Sequence, residues 1–105
     1  MTTFEELVEA VRPLAEQISA LYDEAARRYE PEVDAIVRGG CRDAKRIEHT
    51  LDGLLDFGDD ERILHLYKRL CRHYWTLDKV ATAEYVMLYR DHWDSAATEE
   101  TEATA

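Results

Sequence analysis

Large apolar side chains recur at the start of the chain in alternating steps of three and four: Phe4, Leu7, Val11, Leu14, Ile18, Leu21 and Ala25. These are the a and d positions of a heptad, and Val8, Ala15, Tyr22 and Tyr29 widen the stripe at e. The spacing predicts one amphipathic helix over the first 29 residues. Thr3, with Glu6 three residues on, is a capping-box start. Pro13 falls inside the stripe without shifting its register, so a Pro13-bent helix is expected rather than two helices. Glu30-Pro31 reads as the next boundary, because a residue before proline avoids the α region. A short second helix is expected from Pro31, burying Val33, Ile36 and Val37 and ending at Gly39-Gly40.

Ala44, Ile47, Leu51, Leu54 and Leu55 repeat the helical period, with Gly58 as the expected C-cap. Asp59 is the expected cap of the following helix, whose apolar face is Ile63, Leu64, Tyr67, Leu70, Cys71, Tyr74 and Trp75. Thr76 or Asp78 can cap a last helix bearing Val80, Ala81, Val86, Leu88, Tyr89 and Trp93. No stretch alternates as a strand would. The expected fold is all-α: a small antiparallel bundle of four to five helices joined by short turns. Ser95 to Ala105 contains only Ser, Ala, Thr and Glu, too little apolar surface to offset ordering. Residues 1–94 are therefore read as one helical domain and 95–105 as a disordered acidic tail.

Composition narrows the function classes. The 105 residues are 46% hydrophobic and 34% charged, an ordinary globular balance. The net charge of −10 argues against non-specific binding to nucleic acid or anionic membranes. It is unevenly spread. Residues 1–37 hold nine acidic and three basic side chains, whereas residues 38–79 hold eight and nine. No run approaches a membrane span, and the N-terminus lacks the basic flank and apolar core of a signal peptide. Two cysteines make no disulfide framework, so a cytoplasmic location with both thiols reduced is expected.

Four constellations could carry function. Glu9, Glu16, Asp23 and Glu30 stand seven apart at position f, an acidic row that could occupy a basic groove on a nucleic-acid-handling partner. A solvated helix face is its plainer reading. Arg62, His65, Arg69 and Arg72 form a basic face on the third apolar-patterned segment after the first helix. Together with the preceding helix, residues 42–75 could form a helix-turn-helix, but Asp59, Asp60 and Glu61 sit where DNA contacts would be made. The four histidines and two cysteines include no C-x-x-C, H-E-x-x-H or E-x-x-H spacing, so no metal or other cofactor is expected. Cys41 follows two glycines between Arg38 and Arg42, a setting that favours thiolate, yet no base stands near it in sequence.

The fourth constellation is aromatic. Tyr85, Tyr89, His92 and Trp93 form a row on the last helix, and Tyr and Trp are favoured at interface cores. The expected function is therefore non-enzymatic: binding of a protein partner, possible self-association included, as an adaptor, assembly factor or inhibitor. The aromatic row and the basic face are the expected contact surface. The alternatives are an acidic decoy acting through the position-f carboxylates and a helix-turn-helix DNA binder.

Overall fold

The structure, a computed structural model, describes residues 1–93. The expected tail of residues 95–105 and the expected domain limit at residue 94 lie outside them. The described chain is all-helical, with four helices: α1 (Phe4–Arg38), α2 (Ala44–Leu55), α3 (Glu61–Trp75) and α4 (Lys79–Trp93).

The starts of these helices follow from local capping. The Thr3 hydroxyl accepts from the Glu6 N–H at 3.2 Å. Asp43 accepts from the N–H groups of Lys45 and Arg46 and starts α2. Asp60, not the expected Asp59, caps α3 by accepting from Arg62 and Ile63. The Asp78 carboxylate accepts from the Ala81 N–H at 3.0 Å. Each cap satisfies an amide that would otherwise lose its partner at the helix end.

The expected boundary at Pro31 does not occur. α1 runs unbroken through both Pro13 and Pro31 for 35 residues. Proline at 31 removes the N–H that would reach the Arg27 carbonyl, a cost of about 3 kcal/mol. Val33 and Ile36, just beyond it, are both fully buried. Burial of the two side chains, at about 1.5–3 kcal/mol each, matches or exceeds the proline cost, so packing overrides the local preference. The helix instead ends where the two glycines allow it. Gly40 takes φ +63°, the left-handed region that favours glycine. This lets the Cys41 N–H donate to the Ile36 carbonyl at 2.9 Å and the Gly40 N–H to Val37 at 3.3 Å, a Schellman ending.

Paired contacts fix the helix directions. Asp23 meets Arg62 and Asp34 meets Arg69, so α1 and α3 run the same way. Glu32 meets Arg46 while Tyr29 lies against Gly53, so α2 runs back along α1. The Tyr67 hydroxyl donates to the Tyr85 carbonyl at 2.6 Å, and Trp93 reaches Gly58, so α4 runs back along α3. α3 touches all three other helices. Its Ile63, Leu66, Tyr67, Leu70, Cys71 and Tyr74 are buried against Val33 and Ile36 of α1 and Ile47, Leu51 and Leu54 of α2. Leu64 is only half-buried and Trp75 is exposed, although both belong to the expected apolar face.

The shape is elongated. The radius of gyration is 17.3 Å, against roughly 13 Å for a compact chain of this length. The cause is a mismatch of lengths. At 1.5 Å per residue α1 spans about 52 Å, whereas α2 and α3 span about 18 and 22 Å.

Candidate functional site

One apolar ladder runs the length of α1, and only its C-terminal part is covered. Steps of three and four lead from Ile18 through Leu21, Ala25 and Tyr29 to Val33 and Ile36. Ala25, Ala26, Val33 and Ile36 are buried by α2 and α3. Every residue from Met1 to Leu21 is exposed. Tyr22 marks where cover begins. Its ring meets Phe57 edge-on at 5.8 Å, and its hydroxyl donates to Asp59 at 3.0 Å. That hydrogen bond to a carboxylate raises the Tyr22 pKa.

N-terminal to Tyr22, Phe4 is 79% exposed, Leu14 57% and Leu21 58%, with Leu7, Val8, Val11 and Ile18 at comparable levels. An apolar side chain left in water forgoes about 25 cal/mol for each Å² that it could bury. Monomeric proteins seldom leave more than a few hundred Å² of contiguous apolar surface exposed unless it contacts something. Periodicity showed these residues to share a face, but did not show that α2 and α3 stop short of it.

The aromatic row of α4 has a different placement from that expected of a free surface. Tyr85 and Tyr89 are half-buried and pack onto the core. The Tyr85 hydroxyl donates to Asp52 at 2.9 Å, and the Tyr89 ring lies 5.5 Å from Tyr67. Burial, followed by the bond to Asp52, raises the Tyr85 pKa. The Trp93 indole N–H donates to the Leu55 carbonyl at 2.9 Å and the ring covers Gly58. His92 is exposed. The opposite side of α4 carries Val80, Met87 and Leu88, which are exposed and form a shallow hollow with Trp75. The Lys79 ammonium lies 5.1 Å from the Trp75 ring centre.

Two of the four residues on the basic face of α3, Arg62 and Arg69, are turned onto acidic groups of this same chain. Arg62 donates to Asp23 at 2.6 Å and grips Asp60 through Nε and Nη2. Asp60 and then Asp23 raise the Arg62 pKa, and Arg62 lowers that of Asp60. Arg69 pairs with Asp34 and lowers its pKa. His65 and Arg72 are exposed. The acidic row is divided in the same way. Glu9 pairs with Arg12 on its own helix, Asp23 is taken by Arg62, and Glu16 and Glu30 face solvent.

The Tyr74 hydroxyl near the end of α3 is bonded to Glu48 near the start of α2.

The thiols and imidazoles are dispersed. Cys71 is buried, and burial pushes its thiol up to about 11. Cys41 is half-buried, and its carbonyl bonds His73 Nε2 at 2.7 Å. Among the described residues no three His, Cys, Asp or Glu side chains gather as metal ligands. Among them too, no helix is long and apolar enough to cross a membrane. No protein family matches the chain, and neither curated proteins nor solved structures supply a match.

Proposed function

We propose that the protein is a non-enzymatic binding module whose contact surface is the uncovered apolar edge of α1, from Phe4 to Leu21. The observation that carries this reading is the exposure of that edge on a ladder whose other half is core. The C-terminal part of α1 packs with α2 and α3, and α4 packs on α3, to anchor the arm; the partner supplies the apolar surface that the chain itself lacks there. The hydroxyls of Tyr85 and Tyr89 and the guanidinium groups of Arg62 and Arg69 serve the fold in this reading. The two free thiols suit a reducing compartment such as the cytoplasm.

The test is affinity capture from source cells with the wild-type chain, Leu14→Glu and Val80→Glu. Leu14→Glu removes an apolar contact and places a charge in the edge. Truncation of a hot-spot side chain costs at least about 2 kcal/mol, or about 30-fold in Kd. Partners retained by wild type and Val80→Glu and lost with Leu14→Glu support the reading. An unchanged set of partners with Leu14→Glu refutes it.

A further inference from the structure

We infer that the occupant of the α1 edge is a second copy of this chain, with the two arms packed antiparallel over residues 4–21. This inference rests on the binding reading above and names its partner. Four observations select it.

The first is the area. Seven large side chains, each roughly half exposed or more, line the edge. They offer roughly 600–700 Å² per chain, close to the ~800 Å² per partner of a standard stable interface.

The second is charge. At net −10 the chain as a whole repels its copy. The flanks of the edge carry none of that charge: Val8 and Ala15 lie on one side, Ala10 and Gln17 on the other. Glu5, Glu6, Glu9 and Glu16 fall outside these seam-flanking positions. In a paired helix the flanking positions set repulsion or attraction, and here they set neither.

The third is register. Antiparallel pairing about the midpoint of residues 4–21 sets Phe4 opposite Leu21, Leu7 opposite Ile18 and Val11 opposite Leu14. Every a position then faces a d position, with a large apolar side chain on both sides. The two-fold axis makes the contact self-complementary and closed.

The fourth is direction. α2 and α3 cover the same ladder from Ala25 onward. A parallel copy continuing along the ladder would run into them. An antiparallel copy ends its helix at Phe4, beside Leu21, where the cover begins. Its own α2 and α3 then lie beyond the N-terminus of the first chain.

Light scattering and sedimentation of the full chain, from 1 to 100 µM, should give a dimer that Leu14→Glu and Ile18→Glu each weaken by about 30-fold or more. Both positions are exposed in the single chain, so helicity of the bundle should persist and the variants should remain folded. A wild-type monomer throughout overturns the second-copy proposal, whereas the capture experiment still decides the binding reading. A dimer indifferent to both substitutions also overturns it.

Direction is read by cross-linking in a Cys41→Ser background. Leu7→Cys mixed with Ile18→Cys should oxidise to a mixed disulfide. Leu7→Cys alone should not, because its two copies would lie about 16 Å apart along the helix, beyond the reach of a disulfide. Rapid self-cross-linking of Leu7→Cys would overturn the antiparallel arrangement.

Discussion

Gly58→Ala tests where the end of α4 rests. A Cβ at Gly58 would lie 2.4 Å from both Cδ1 and Nε1 of Trp93, distances that no folded structure tolerates. The backbone is no obstacle, since Gly40 is the chain's positive-φ glycine and Gly58 is not. The indole must therefore leave. Trp93 is 39% exposed, so about three-fifths of it is covered, roughly 90–150 Å² on the scale of buried aromatics. At 25 cal/mol per Å² that burial contributes about 2–4 kcal/mol. Its hydrogen bond to Leu55 adds about 1 kcal/mol. α4 ends here and its last turn can swing outward, so the expected loss is about 2–3 kcal/mol. Trp93→Ala should cost about the same, and the double variant little more than either alone, giving a coupling of about 2 kcal/mol. Urea unfolding, followed by tryptophan emission in a Trp75→Phe background, isolates the Trp93 signal. Emission of Gly58→Ala should shift to the red before any unfolding. Additive costs, or a Gly58→Ala protein with wild-type emission and midpoint, would refute the placement of Trp93.

Acid should act on the α1–α3 contact. The folded pKa of Asp34 is lowered by Arg69, so its stabilisation is fully present above the ordinary carboxylate value near ~4 and is lost as pH falls through the lower folded value. Asp34→Asn should therefore melt below wild type at pH 7, with the gap closing below about pH 4 in a calorimetric series; a constant gap would count against this pairing. The two thiols should separate kinetically. Cys71, buried and held near 11, should react with a thiol reagent only as the protein unfolds, whereas Cys41 should react in the native state; equal native rates would contradict the burial of Cys71.

The sequence was most legible where one helix face meets one core. Ile63, Tyr67, Leu70, Cys71 and Tyr74 repeat at the α-helical period and all are buried. α4 was harder because it is apolar on two rows. Its buried residue is Thr82, whose hydroxyl donates to the Asp78 carbonyl at 2.7 Å, while Val80, an obvious apolar candidate, is 72% exposed. Pro31 misled because the rule for prolines is local and the burial of Val33 and Ile36 is not. The same limit governs α1. Nothing local separates Ile18 from Ile36: both continue one ladder, and only the lengths of α2 and α3 decide which of them is covered. Ion pairs such as Asp23–Arg62 join residues 39 apart in sequence, beyond what a helical period can register.

Pro13 gives the arm a property that its length alone would not. At Pro31 the missing hydrogen bond is offset by packing a few residues on; around Pro13 every residue from Met1 to Leu21 faces water. A helix of about this length is marginal without tertiary support, and an interior proline makes it more so. Amide protection should therefore fall along α1, from global values at Val33 and Ile36 toward small local-opening values before Leu21. Ordering and contact then become one equilibrium. Whatever covers the edge binds only the helical fraction of the arm, and its apparent affinity is multiplied by that fraction. Relieving the proline would tighten the interaction without adding a single contact to it.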